Sequence, residues 1–396
     1  MVKIKALIWN CFVKKSTEGI NTINLKETNH EWSVTKKLST TCSQNTETWQ
    51  LERDNLDNLE FKVEVRTGKK FDVLSLNNDI EETISYAKSL NSLGKKLFSS
   101  DENLEKKLNC PACDYQATST NPYLTVNHAE YKRCDKCGHI YVWKRPSAKV
   151  MKEIFTDEEI ISANYAKEDG VQFRMDEIVK PKLDWILKIW YSLFESAPTS
   201  ILDVGAGTGH FVKACRDLNI KTEGIEISKS SCQFAQDIFG IELKTNNFLH
   251  SNLEMFDILT MWGLLEYVHE PFEYLKKARQ CVGENGMVVF EVPRDPSVSA
   301  MAQKSHTTGI ARHLDPASHL NCFSESSIVH LLHRTGLKPV AIWRFGMDAY
   351  EMLLQIAIAS NCTEFLNNAK EWIEPWQHTF DQAGLCDDII VCSIPI

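Results

Sequence analysis

A run of closely spaced glycines between a buried strand and a helix most restricts what this chain can form. Residues 201–211 begin with apolar side chains, pass through Gly205, Gly207 and Gly209, and continue into a helical pattern. Such a turn leaves bare backbone amides at a helix N-terminus, where a ligand can lie against them. We therefore predict a strand–turn–helix unit at the carboxyl edge of a parallel sheet.

Alternating strands and helices continue after this unit. Apolar runs predict strands at residues 222–227, 256–261, 286–292, 337–343 and 388–394, with helices between them. A helical insertion is expected over about residues 347–387. This order predicts an α/β fold, a Rossmann-like, doubly wound and mostly parallel seven-stranded sheet, over residues 151–396.

The first 105 residues are polar and have shorter apolar patterns. Alternation predicts a strand at 61–65, helical spacing predicts a helix from residue 80, and a first strand is expected near residues 6–9. We expect a small α+β module of unknown role at residues 1–105.

Two cysteine pairs with twenty residues between them carry a second signal. Cys110 and Cys113 form one CxxC pair, and Cys134 and Cys137 form the other. Four thiolates at this spacing can surround one Zn²⁺ tetrahedrally and leave no open position, so the metal would be structural. The alternatives are a redox pair and cysteines buried without a common role. We expect a zinc ribbon at residues 106–150.

The composition limits the kinds of molecule that the protein is expected to bind. The 396 residues have 44 Lys and Arg against 53 Asp and Glu, a net charge of −9, which disfavours a nucleic-acid partner. We find no apolar segment long enough to span a membrane and no signal-peptide pattern, and expect a cytoplasmic protein.

The residues beside the glycines suggest the ligand. The spacing is GxGxG, Asp203 precedes the first glycine, and Glu226 ends the next predicted strand. A carboxylate in the second position can accept both ribose hydroxyls of a nucleoside, and Asp203 favours a positively charged amino group nearby.

These motifs, at residues 202–209, 224–228 and 256–271, resemble those of the class I S-adenosylmethionine-dependent methyltransferases. The resemblance implies S-adenosylmethionine as cofactor, with Asp203, Gly205 and Gly207 at its methionine end and Glu226 on its ribose. Trp262 and Gly263 would flank the sulfonium. The remaining expected cofactor residues are Ala206, Gly209, Ile227 and Asn247.

A chain with two cysteine pairs ahead of such a domain resembles the zinc-containing family that includes nucleotide-sugar C-methyltransferases. Residues 315–324 share this similarity, which implies that His319 is a base near the acceptor; the alternative is that His319 braces the following helix. We also predict Glu266 and Tyr267 as catalytic residues. Secondary candidates are His269, Glu291, His313, Tyr165, Arg174 and Asp348.

Three functions follow as hypotheses. The first is in-line methyl transfer to carbon or oxygen of a small-molecule or saccharide acceptor, with nucleotide sugars among the candidates. The second is RNA methylation with the ribbon gripping the substrate. The third is a non-catalytic scaffold that retains the fold. The oligomeric state and the methylated atom are left open.

Overall fold

The computed structural model describes residues 32–41, 46–53, 60–69, 80–116, 121–157, 170–305 and 313–396. The strand predicted near residues 6–9 and the candidate Tyr165 lie outside these ranges.

From residue 200 on, the predicted strands are present in the predicted order. The strands are β1 (Trp32–Thr41), β2 (Thr46–Arg53), β3 (Glu60–Thr67), β4 (Leu104–Lys106), β5 (Leu124–Val126), β6 (Ala129–Arg133), β7 (Ile140–Val142), β8 (Lys144–Pro146), β9 (Ser200–Val204), β10 (Lys221–Ile225), β11 (Phe256–Trp262), β12 (Val282–Pro293), β13 (Asn321–Cys322), β14 (Leu337–Phe345) and β15 (Asp388–Pro395). The helices are α1 (Ile80–Leu97), α2 (Ala148–Asp157), α3 (Lys180–Phe194), α4 (His210–Asp217), α5 (Lys229–Phe239), α6 (Pro271–Cys281), α7 (Val298–Ser305), α8 (Glu325–Arg334), α9 (Asp348–Ala359) and α10 (Glu364–Gln382). A short α-helical turn (Val171–Arg174) and a π-helical turn (Met175–Val179) lead into α3.

Within the described residues, the main sheet has nine strands in the order β1-β2-β3-β14-β15-β12-β11-β9-β10. Strands β10, β9, β11 and β12 are parallel, whereas β15 runs antiparallel to both of its neighbours, β12 and β14. The prediction of a mostly parallel, seven-stranded sheet is therefore wrong in strand number and in direction. Six strands come from residues 200–395, and β1–β3 add three more.

The extra strands join the sheet because β3 pairs in parallel with β14. Phe61, Val63 and Val65 of β3 alternate with exposed or half-buried residues and are buried in the same core as the central strands. The alternation predicted a half-buried strand correctly, but it holds no information about which strand is its partner. The domain boundaries at residues 105 and 150, and the cytoplasmic location, stay predictions.

Apolar side chains leave both faces of the sheet and are covered by helices. In β11, Ile258 points to the face that α3 covers, where the rings of Trp185 and Trp343 lie 5.6 Å apart. Leu259 points to the opposite face and packs in the cluster that includes Leu332 of α8. Burial on both faces is what makes these strands continuous apolar runs in the sequence.

Helix ends follow local chemistry. Ser324 and Ser327 form a capping box at the start of α8, Ser228 caps α5, and Pro271 opens α6. Gly240 ends α5 in the left-handed conformation, which glycine adopts without strain. These local signals determine where the helices begin and end.

A smaller sheet carries the cysteine pairs and is joined to the main domain. Its order is β13-β7-β6-β5, and β13 comes from residues 321–322, far from the cysteines in sequence. The predicted insertion is two helices, α9 and α10, packed on each other through apolar residues that include Leu353 and Leu366. No helix in the described ranges is long and apolar enough to cross a membrane.

Candidate cofactor and acceptor site

The three glycines after β9 have positive φ angles of 73°, 52° and 79° at Gly205, Gly207 and Gly209. Their surroundings differ. A Cβ at Gly209 would lie 3.0 Å from Ala235 Cβ, and one at Gly205 would lie 3.2 Å from Leu264, whereas a Cβ at Gly207 would meet nothing within 4 Å. Gly205 and Gly209 are thus explained by packing. Gly207 is the glycine with open space beside it.

Glu226 is fixed beside this loop. One of its carboxylate oxygens accepts a hydrogen bond from Gly207 N at 2.8 Å, and the other accepts one from Ser228 N at 2.7 Å. Each oxygen keeps a further lone pair with which to accept a ligand hydroxyl. The next residue, Ile227, is 38% exposed, although it is apolar. A fixed carboxylate beside an exposed apolar side chain and bare glycine backbone fits a nucleoside.

Asp203 lies near the carboxyl end of β9. Its carboxylate accepts a hydrogen bond from the Thr260 hydroxyl at 2.7 Å, and burial raises the pKa of the carboxyl to about 7, with Glu226 adding repulsion. A positively charged group beside the glycine loop would stabilise the ionised form. Ala206 follows in the loop; it is buried and packs against Val212 of α4.

Asn247, an expected cofactor residue, caps a short 3-10 helix (Phe248–His250). Its side-chain oxygen accepts from Leu249 N at 2.9 Å, and the residue is exposed. That oxygen keeps a further lone pair, with which it could accept a hydrogen bond from a ligand amine, and the side-chain NH₂ could donate to a ring nitrogen.

Trp262 and Gly263 lie at the carboxyl end of β11. The Trp262 ring lies 4.9 Å from the Phe211 ring, and the Lys182 ammonium lies 5.2 Å from its centroid. Lys182 in turn pairs with Glu291. Glu291 was a secondary candidate, but Lys182 was missed, because it sits in an amphipathic helix 109 residues earlier with no motif around it.

The three predicted catalytic residues come together beside this strand end. The rings of Tyr267 and His319 lie 4.9 Å apart, and the Glu266 main-chain carbonyl accepts from Leu320 N at 2.8 Å. Glu266 is buried, and its Oε1 would lie 3.4 Å from a Cβ at Gly263. The structure thus brings the three residues together, and Glu266 is the one that lies beside Gly263.

His313 extends this group. Its ring lies 5.9 Å from that of His319, and its Nε2 lies 3.2 Å from Asp387 Oδ2. Asp348, also a secondary candidate, accepts a hydrogen bond from Asp387 N at 2.9 Å. Burial raises the pKa of the Asp348 carboxyl to about 8. Asp387 directly precedes the buried strand β15, and the apolar sequence pattern there does not indicate a functional residue.

Two secondary candidates lie elsewhere. His269 Nε2 donates to the Pro146 carbonyl at 2.7 Å, so it links the segment after β11 to β8. Arg174 lies on the turn that precedes α3 and lowers the pKa of His210, whose burial is the larger cause of that shift.

The four cysteine sulfurs lie within 4.8 Å of one another. The Cys110–Cys137 and Cys113–Cys134 pairs are 3.6 and 3.5 Å apart. Tetrahedral Zn²⁺ with bonds of about 2.3 Å needs sulfurs about 3.8 Å apart, so the spacing fits this metal. Burial raises the pKa of the Cys110 and Cys137 thiols, and a bound cation would offset that cost of ionisation.

Comparison with known families agrees with this geometry. Residues 174–342 match the family described as "Methyltransferase domain". The match covers less than half of the chain and confirms the predicted enzyme class, an S-adenosylmethionine-dependent methyltransferase. A comparison with curated proteins gave no match.

Solved structures were compared with the chain as well, and three of the matches are as follows. The plantazolicin methyltransferase with bound S-adenosylhomocysteine is 14% identical, with a TM-score of 0.39 over 62% of this chain and 93% of that one. Magnesium protoporphyrin IX methyltransferase from Synechocystis PCC 6803 is 11% identical, with a TM-score of 0.41 over 63% and 100%. An O-methyltransferase from a Brevibacillus brevis trans-AT PKS multienzyme is 11% identical, with a TM-score of 0.39 over 61% and 80%. The assignment of residues 174–342 rests on the family match.

Proposed function

We propose that the protein transfers the methyl group of S-adenosylmethionine to a small-molecule or saccharide acceptor. The observation that carries this proposal is the Glu226 carboxylate, anchored by Gly207 N and Ser228 N beside the one loop glycine with open space around it. This arrangement supplies an oriented acceptor for ribose hydroxyls without any movement of the backbone. When bound, the cofactor supplies an electrophilic methyl group.

On the acceptor side, His319 is the proposed base. Methyl transfer is an in-line displacement that needs alignment and, for a carbon or oxygen acceptor, removal of a proton. An imidazole has the ordinary pKa for this task near neutral pH. The Tyr267 ring lies 4.9 Å from the His319 ring, tilted at 44° to it, and Glu266 lies beside Gly263, so both would contact or orient the acceptor.

We propose Zn²⁺ as the metal of the cysteine cluster, with Cys110, Cys113, Cys134 and Cys137 as its ligands. The support is the sulfur spacing and the thiol chemistry. Four protein ligands leave no position for substrate, so the metal would stabilise the fold and take no part in the reaction.

The test of the function is transfer of an isotope-labelled methyl group. The protein is incubated with labelled S-adenosylmethionine and a panel of nucleotide sugars, saccharides and cell extract, and products are separated by size and identified by mass spectrometry. We expect label in a small molecule and loss of that label in Glu226→Gln. Glu242→Gln, an exposed carboxylate nearby, is the matched control. Absence of label from every fraction contradicts the proposal.

One observation favours RNA as an alternative acceptor. Lys132, Lys106 and Lys144 place their ammonium groups 4.1, 5.7 and 5.7 Å from the Trp143 ring on the ribbon, and a basic group around an aromatic ring is typical of nucleic-acid binding. Against it, Lys144 pairs with Asp101 and the net charge is −9. Label in RNA that Trp143→Ala abolishes would support this alternative.

A further inference from the structure

Residues 319–322 connect the cysteine cluster to the acceptor side of the site. Leu320 N and Asn321 N both donate to the Glu266 carbonyl, at 2.8 and 3.1 Å. The Asn321 side-chain NH₂ donates to the carbonyls of Leu265 and Val268, at 3.2 and 2.8 Å. The segment after His319 is therefore bonded along the whole turn that carries Glu266 and Tyr267.

The ribbon holds the same segment from its other side. The Tyr131 hydroxyl of β6 donates to the His319 carbonyl at 2.9 Å, and Val142 N of β7 donates to the Leu320 carbonyl at 2.9 Å. Strands β7 and β13 then pair, with Asn321 opposite Tyr141. Tyr131 is fully buried, so water does not replace its hydroxyl if it is removed.

His139 links this segment directly to a cysteine turn. It follows Cys137 and Gly138 in sequence, and its carbonyl accepts from Cys134 N at 2.8 Å. Its Nε2 lies 3.2 Å from Asn321 Oδ1. Because the Asn321 NH₂ already donates to two carbonyls, its oxygen is the acceptor here and His139 Nε2 carries the hydrogen. At the far end, the Ser324 hydroxyl donates to the Cys137 carbonyl at 2.6 Å.

We propose that Tyr131 and His139 are positioning residues for His319, through which the cysteine cluster fixes the acceptor side of the site. The base role of His319 rests on the proposed function; the positioning is a property of the fold. The glycine loop is bonded to Glu226 and to β10, and β9 and β11 separate β10 from β12, so binding of the nucleoside part of the cofactor is expected to be independent of the ribbon contacts.

The first test removes one hydroxyl. Tyr131→Phe keeps the ring and deletes the bond to His319, and Ser393→Ala is the control, since it deletes a buried hydroxyl-to-carbonyl bond of 2.9 Å to Val288 within the main sheet. Hydrogen exchange followed by mass spectrometry is measured on peptides covering residues 264–269 and 313–324. We expect exchange about tenfold faster in both peptides for Tyr131→Phe only, with S-adenosylhomocysteine affinity unchanged by calorimetry.

The second test removes the metal from the parent protein with a thiol-reactive mercurial and a chelator, with zinc content measured before and after. We expect faster exchange in residues 264–269 and 313–324 and unchanged exchange in residues 200–228. Faster exchange confined to the ribbon, or equal effects of Tyr131→Phe and Ser393→Ala, would overturn the proposal. If Tyr131→Phe does not fold, His139→Phe and the metal-free protein decide. Failure of the parent to bind S-adenosylhomocysteine would refute the proposed function, whereas the exchange pattern would still decide the positioning.

Discussion

Replacing Gly207 and Gly209 by alanine separates a ligand-contacting glycine from a packing glycine. Both residues have positive φ, so alanine at either position costs about 1–2 kcal/mol of backbone strain. At Gly209 the new methyl group would also lie 3.0 Å from Ala235 Cβ, which forces α4 and α5 apart, while at Gly207 it enters open space beside Glu226. Gly209→Ala is therefore expected to destabilise the protein more than Gly207→Ala.

Thermal unfolding and calorimetry measure the two effects. At about 2–4 °C per kcal/mol for domains of this size, Gly207→Ala lowers the melting temperature by a few degrees, and Gly209→Ala lowers it further. We expect Gly207→Ala to weaken S-adenosylhomocysteine binding at least tenfold, because the methyl group occupies the space that the ligand needs. Parent-like affinity in Gly207→Ala would refute the assignment of this loop as the cofactor site.

Further predictions concern the metal, the base and buried carboxyls. Cys110→Ser is expected to lower the zinc content, which metal analysis should find at about one equivalent in the parent protein. It is also expected to lower the melting temperature in thermal unfolding. His319→Ala is expected to lower turnover about 100-fold with cofactor affinity unchanged, and a loss within about threefold would exclude the base role. Burial raises the pKa of the Asp203 carboxyl to about 7, so the folded protein keeps a proton that the unfolded chain loses at lower pH. The free energy of unfolding should therefore fall as pH rises from about 4 to 7. Asp203→Asn should remove this pH dependence, as measured by urea titrations at several pH values. Gly346→Ala should prevent folding or destabilise strongly, because its Cβ would lie 2.3 Å from Asp348 Oδ2, and wild-type melting behaviour would contradict this.

The parts of the fold that depend on local pattern were predictable. The strand before Gly205, the Ser324 cap and Pro271 at a helix start all carry short-range chemistry, and the observed elements follow them. The cysteine spacing likewise predicted a cluster that the structure brings together. These signals are readable because the residues that interact are neighbours in sequence or belong to one motif.

Long-range pairing was not predictable in the same way. The alternation of buried and exposed residues in β3 is compatible both with a separate sheet and with pairing to β14. The observed pairing with β14 depends on tertiary packing, which the local pattern does not contain. Strand β13 has two residues, too few for any periodicity, yet it joins the smaller sheet to the segment that follows His319. Contacts such as Lys182 with Glu291 and His313 with Asp387 join residues more than 70 positions apart, so no spacing rule marks them.

The most direct test of the account is the structure of the protein in complex with S-adenosylhomocysteine. We predict that both ribose hydroxyls lie within hydrogen-bond distance of the Glu226 carboxylate and that the amino-acid end of the ligand lies against Gly207. The sulfur should then lie next to Gly263, with the face toward Tyr267 and His319 left for the acceptor. A nucleoside bound away from Glu226, or a sulfur turned away from His319, would contradict the central claim.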